Sequence, residues 1–166
     1  MFIRGDIISI IGINNAGKTT LAKYLASTID KKYIYIDFVH TSYIKLDDIY
    51  ESNKNKNIVI IFDNYVEITH NSRRMNLFTD NRNFTIIFVA NYICKKIIKE
   101  SNSVYFAKNI KNYMVDAYYN SIKKYYRNKN KFINKIKKLN SFGFLCIDKD
   151  NKYIDQREEE IIKIEN

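Results

Sequence analysis

Gly12-Ile13-Asn14-Asn15-Ala16-Gly17-Lys18-Thr19 satisfies G-x-x-x-x-G-K-[ST] at every fixed position. The spacing has a chemical reason. Glycines let successive backbone N–H groups turn inward on phosphate oxygens, and a helix opening at the end of the loop adds partial positive charge. A lysine at position 18 reaches the β- and γ-phosphates, and a hydroxyl at position 19 is a ligand for Mg²⁺. Gly12, Asn14, Asn15, Ala16, Gly17, Lys18, Thr19 and Thr20 are therefore the candidate cradle for a nucleotide.

A second chemical position follows 44 residues later. Asp63 ends the apolar run Ile58-Val59-Ile60-Ile61-Phe62. Ligands of open α/β folds bind at the carboxyl ends of the strands, so an acid there meets the phosphate loop and can hold Mg²⁺, directly or through water. The plainer alternative is a strand-end Asp capping the next turn. Asn64 follows it, an amide that can orient a water but cannot take its proton. Glu67, one turn on, is a substitute acid. Asn91, after the run Phe84–Val89, is either a sensor of the γ-phosphate or a turn-forming residue. Arg82, in Asp80-Asn81-Arg82-Asn83, is a candidate to reach a neighbouring subunit and stabilise charge on a transferring phosphoryl group; Arg73 and Arg74 are rivals. The alternative for all three is a solvated arginine. His40 and His70 stand apart from any cluster of Cys or acids, so no metal role is assigned to them.

The elements that must position these groups are legible as alternating patterns. Residues 7–11, 33–37, 58–62, 84–89 and 103–106 are short runs rich in β-branched and aromatic residues and read as strands. Between them, 19–26, 42–51, 71–79 and 92–100 read as helices, and 110–139 as one or two basic helices studded with tyrosine. Residues 142–147 and 152–154 flank Asp148-Lys149-Asp150-Asn151 as a hairpin, and the acidic tail of about 155–166 reads as a helix. Alternation of strand and helix predicts an α/β fold with a mostly parallel central sheet and a C-terminal β-hairpin, and with the motif at Gly12–Thr19 it resembles the three-layer sandwich of a P-loop NTPase. With 166 residues, 46% of them hydrophobic, a single domain over 1–166 is expected, burying ~70% of its unfolded surface.

Charge is uneven. The chain carries +10 overall, and residues 93–140 alone hold 13 basic and 2 acidic groups. Such a segment, centred on about 108–140, attracts phosphate polymers by counterion release. An A/T-rich coding sequence would also supply these lysines, and a solvated helix face is the competing explanation. No apolar run approaches ~18 residues and Met1-Phe2-Ile3-Arg4 shows no signal-peptide pattern, so no membrane association and no secretion are expected. Cys94 and Cys146 lie far apart, which predicts neither a disulfide scaffold nor a zinc site and suits a reducing compartment.

The order of these motifs resembles the DNA-packaging ATPases of poxviruses and other large DNA viruses, within the FtsK/HerA group. The resemblance spans most of the chain. It takes in Gly12–Thr19, Ile60-Ile61-Phe62-Asp63-Asn64, Leu77-Phe78-Thr79-Asp80-Asn81-Arg82-Asn83, Thr85-Ile86-Ile87-Phe88-Val89-Ala90-Asn91, Ser103–Phe106 and Phe142–Asp148. It implies ATP and Mg²⁺ as cofactors and turnover coupled to driving double-stranded DNA into a capsid. It also implies a homo-oligomeric ring, a capsid or portal partner, and location in the host cytoplasm or virion. It departs from the family at Asn64, where a second acid is usual, and at Asn91, where a Gln is usual; the first departure implies slow hydrolysis. Two other readings stay open. Asn15-Ala16-Gly17-Lys18-Thr19-Thr20 and Phe62-Asp63-Asn64-Tyr65 are similar to thymidylate-kinase motifs, which would make the chain a small P-loop nucleotide kinase. A nucleotide-binding protein with little turnover is the third.

Overall fold

Five runs of β-branched and aromatic residues become parallel strands because they are apolar on both faces, and only a sheet covered on both sides buries them. The computed structural model describes residues 5–30, 32–40, 43–66, 72–109, 111–149 and 161–163. The strands are β1 (Ile7–Ile11), β2 (Tyr33–Asp37), β3 (Ile58–Asp63), β4 (Phe84–Ala90) and β5 (Ser103–Ala107), followed by β6 (Gly143–Asp148) and β7 (Ile161–Lys163). They form one seven-stranded sheet in the order β2-β3-β4-β1-β5-β6-β7. The first five strands in that order run parallel, and β6 and β7 are antiparallel to their neighbours.

The helices are α1 (Lys18–Ile29), α2 (Tyr43–Asn53), α3 (Ser72–Thr79), α4 (Lys95–Glu100), α5 (Asn112–Ile122) and α6 (Lys129–Lys138). Side chains alternate across each strand, so β1 sends Ile8 and Ile10 to one face and Ile11 to the other. On the first face α1 packs Leu21, Ala22, Leu25 and Ala26 against Ile8, Ile10, Ile61 and Val89. The opposite face carries the other helices in two clusters. Leu46, Met75, Phe78 and Ile97 cover Ile60, Phe62 and Phe88, while Val115, Tyr118, Ile122, Phe132 and Ile136 cover Val104, Phe106 and Leu145. The layers are thus helix, sheet, helix, as the alternation predicts.

The structure refines the sequence expectation at several boundaries. Helix α4 starts at Lys95 rather than 92, because Cys94 is extended (φ −100°, ψ 103°). Of the one or two helices expected over 110–139 the structure has two: Asn128 ends the connection and caps α6, its side chain accepting from Lys131 N at 2.9 Å. In the tail, residues 161–163 form strand β7 and not a helix, pairing Leu145 with Ile161 and Gly143 with Lys163. Pairing supplies their backbone with partners that no local pattern reveals. The C-terminal antiparallel pair is therefore β6 with β7; residues 152–154, expected as its second strand, lie outside the described residues.

Candidate functional site

The phosphate loop leaves the C-terminal end of β1, the middle strand of the seven-stranded sheet. Gly12 N donates to Ala90 O at 3.2 Å, which extends the β1–β4 ladder one step into the loop. A side chain at position 12 is excluded, since a Cβ there would sit 2.4 Å from the Ala107 Cβ. Asn15 (φ 61°) and Gly17 (φ 79°) take the left-handed conformation that reverses the chain, a state glycine and asparagine enter most readily. Ala16 is buried in the core beneath the loop, while Ile13, Asn14, Asn15 and Thr20 are exposed at its rim.

Helix α1 starts at Lys18 with Gly17 as its cap and neither a capping side chain nor an acid in its first turn. Its N–H groups and positive dipole end are thus directed to whatever the loop holds. Lys18 is 7% exposed, and its Nζ donates to Ile13 O at 2.7 Å across the loop. Burial pushes its pKa down, and the nearby Asp63 carboxylate opposes that shift.

Asp63 is buried at the end of β3. Its Oδ2 accepts from Thr19 Oγ1 at 2.7 Å and from Tyr35 OH at 2.6 Å, and its Oδ1 accepts from Asn64 N at 2.8 Å. Burial first, then the hydrogen bond to Asp63 and its charge, raise the Tyr35 pKa, so the phenol stays a donor. A hydroxyl and a carboxylate in contact are hard oxygen donors of the kind Mg²⁺ prefers. Thr19 and Asp63, separate in the sequence, are one cluster in the fold.

Asn64 also takes a left-handed backbone (φ 54°), and its Nδ2 donates to Asp37 Oδ1 at 3.0 Å. Asp37 ends β2 and is the register partner of Asp63 across the ladder. Sequence reading passed over Asp37. The signal was present, a strand ending in an acid, but only the adjacency of β2 and β3 gives it meaning.

Strand β4 lies between β1 and β3, so Asn91, exposed just past its C-terminal end, stands between the loop and Asp63. Arg82 precedes β4 and lies at the opposite edge of the sheet, roughly 20 Å away at about 3.3 Å per strand residue. Its carbonyl lies against Gly5 and its side chain is exposed. Arg74 is tied to Asp47 on α2 at 3.0 Å. Glu67 and His70 lie outside the described residues, as does the Arg73 side chain.

A family model for the AAA domain matches residues 4–120, from before β1 into α5. The chain belongs to the AAA domain family. No curated protein sequence matches it. Solved structures do. The genome packaging NTPase B204 from Sulfolobus turreted icosahedral virus 2 in complex with AMP superposes with a TM-score of 0.70 at 13% identity, over 98% of each chain. Its complex with AMPPCP gives 0.67 at 17%, over 97% of this chain and 98% of that one. B204 from Sulfolobus turreted icosahedral virus, described as a DNA-packaging ATPase, gives 0.68 at 15%, over 99% of this chain and 100% of that one. At these identities the likeness is one of fold.

This AAA domain carries the basic turn between α5 and α6 away from the phosphate loop. Helix α5 follows the C-terminal end of β5, so the turn between α5 and α6 falls at the other edge, where Lys149 Nζ lies 4.8 Å from the Tyr125 ring. Lys123, Lys124 and Arg127 are exposed there, and Lys129 pairs with Asp116 at 2.8 Å. The tyrosines of this segment do not form one exposed platform. Tyr118 and Tyr126 are buried in the core, Tyr119 donates to Arg127 O at 3.0 Å, and Tyr113 alone among these four is largely exposed. No helix among the described residues of this AAA domain is long and apolar enough to cross a membrane.

Proposed function

We propose that the chain is an ATP-hydrolysing motor of the FtsK/HerA type, coupling turnover to movement of double-stranded DNA into a viral capsid. The observation that carries this reading is the 2.7 Å hydrogen bond from Thr19 to Asp63 at the mouth of the loop that holds Lys18. Phosphate-binding and metal-binding groups thereby converge on one point at the C-terminal edge of the sheet. In this reading the backbone of residues 12–20 cradles the phosphates and Lys18 neutralises charge on the β- and γ-oxygens. Thr19 and Asp63 would hold Mg²⁺, which would supply positive charge to offset the charge that develops on the phosphoryl oxygens. Asn64 and Asn91 orient the attacking water and sense the γ-phosphate.

Arg82 serves in trans. Head-to-tail packing of identical subunits sets one edge of a protomer against the opposite edge of the next, and closure of that packing makes a ring. An arginine at the N-terminal edge then faces the neighbour's γ-phosphate, where such a residue stabilises transition-state charge. The length-wide likeness to B204 supports the DNA and capsid partners, and the exposed lysines of 123–138 support the DNA. A location in the host cytoplasm or the virion accompanies this reading.

The test measures Mg²⁺-dependent phosphate release from ATP with and without double-stranded DNA, beside transfer of the γ-phosphoryl group to nucleoside monophosphates. DNA-stimulated release without transfer is the expected result. Transfer to a monophosphate would make the chain a nucleotide kinase, and binding without turnover would make it a nucleotide-regulated binding protein.

A further inference from the structure

Hydrolysis is accelerated by a group that takes the proton of the attacking water, and Asn64 cannot do so. Among the described residues, Asp37 and Asp63 are the two carboxylates at the C-terminal ends of the parallel strands. Asp63 is committed, with both oxygens accepting hydrogen bonds from Thr19, Tyr35 and the Asn64 backbone. Asp37 is different. Its Oδ1 accepts from Asn64 Nδ2 and from Val39 N, each at 3.0 Å, while Oδ2 stands 4.0 Å from His40 Nε2. The Asp37 side chain is 26% exposed, so water reaches it. Adjacent strands lie ~4.8 Å apart, and Asp37 is the register partner of Asp63, which puts this carboxylate one strand over from the metal-binding position.

We propose that Asp37 supplies the proton-accepting carboxylate that position 64 lacks, the acid having moved from the end of β3 to the end of β2. The proposal rests on the reading of the chain as an ATPase. In the step it serves, the water oxygen bonds to the γ-phosphorus, and the bond from that phosphorus to the bridging oxygen breaks with its electron pair staying on ADP. The water proton passes to the Asp37 carboxylate and then to solvent. Asn64 keeps a role: its amide fixes Asp37 through Oδ1 while its own backbone is anchored on Asp63.

The experiment compares four proteins: the parent, Asp37→Asn, the exchange Asp37→Asn with Asn64→Asp, and Lys18→Ala. Asparagine at 37 still accepts the bonds from Asn64 and Val39 through Oδ1, so a merely structural role survives the substitution. The expected result is a kcat for Asp37→Asn reduced about 100-fold or more. Affinity for a non-hydrolysable ATP analogue stays within about twofold of the parent, since a proton acceptor adds little ground-state binding. The exchange, which returns an acid to the pair on the other strand, recovers at least about tenfold of that loss. A kcat for Asp37→Asn within about threefold of the parent overturns the proposal, as does an exchange no faster than Asp37→Asn alone. Lys18→Ala separates the two levels. If it abolishes turnover and Asp37→Asn does not, only the role of Asp37 falls; if parental turnover is absent or survives Lys18→Ala, the ATPase reading falls and Asp37 with it.

Discussion

Thr19 and Asp63 lie 44 residues apart in the chain and meet through a 2.7 Å hydrogen bond from the threonine hydroxyl to Oδ2. The first lies in the first turn of the helix after the phosphate loop, the second closes a strand two places away in the sheet, and Tyr35 donates to the same oxygen from the next strand. Asp63→Asn takes away the charge that gathers these donors. We expect Mg²⁺-dependent turnover to fall about 100-fold while nucleotide binding in the presence of a chelator changes little. Equal loss of both, measured with a fluorescent nucleotide, would make Asp63 a structural cap.

Lys18→Ala should lower turnover by about 100- to 1,000-fold, because the ammonium acts where phosphoryl charge develops. Its structural cost should be small. The bond it gives up, to Ile13 O, is worth about 1 kcal/mol net, and removing a partly desolvated ammonium offsets some of that. Chemical unfolding together with an ATPase assay checks both halves.

Asp37 gives a dependence on pH with a definite sign. The amide of Asn64, with help from Val39 N and the nearby His40, holds its carboxyl below the usual carboxylate value. A carboxyl whose pKa is lower folded than unfolded adds stability above its unfolded value of about 3.9, and that stability is lost as pH falls through the folded value. The stability difference between parent and Asp37→Asn should therefore be constant near pH 6 and shrink below about pH 4. Urea unfolding of both proteins across that range is the measurement; a difference that grows on acidification contradicts the assignment.

The basic turn between α5 and α6 can be probed without touching the phosphate loop. Replacing Lys123, Lys124, Arg127 and Lys129 by Ala should make the salt dependence of DNA binding shallower, by about 0.9 in log K per log salt for each phosphate no longer neutralised. DNA stimulation of turnover should go with it, and basal turnover should remain. The exposed Lys129–Asp116 pair contributes at most about 1 kcal/mol, so the fold tolerates its removal. Identical salt slopes would take DNA off this surface.

Strand runs such as Ile58–Phe62 and Phe84–Val89 were legible because both faces are buried and the sequence repeats the same chemistry at every step. The loop was legible because its glycine, lysine and threonine are contiguous. What sequence alone withheld depends on strand order. That Asp37 stands beside Asp63, that Asn91 stands between Asp63 and Gly12, and that β7 forms within an acidic tail are all consequences of non-local pairing. The edge position of Arg82 was recoverable in principle, since a residue preceding a parallel strand cannot share an edge with residues that follow one. Tyr118 and Tyr126, interleaved with lysines in sequence, turn inward for different reasons: helical spacing puts Tyr118 on the apolar stripe of α5, while Tyr126, in the connection before α6, packs its ring 5.6 Å from that of Phe132.

The close approach of Gly12 to Ala107 ties two positions 95 residues apart into one evolutionary choice. With 2.4 Å between a hypothetical Cβ at 12 and the methyl of Ala107, any enlargement at either position must be matched at the other or the strands must part. Substitutions at the end of β5 are therefore expected to track the first glycine of the phosphate loop across relatives, although residue 107 belongs to no nucleotide-binding motif.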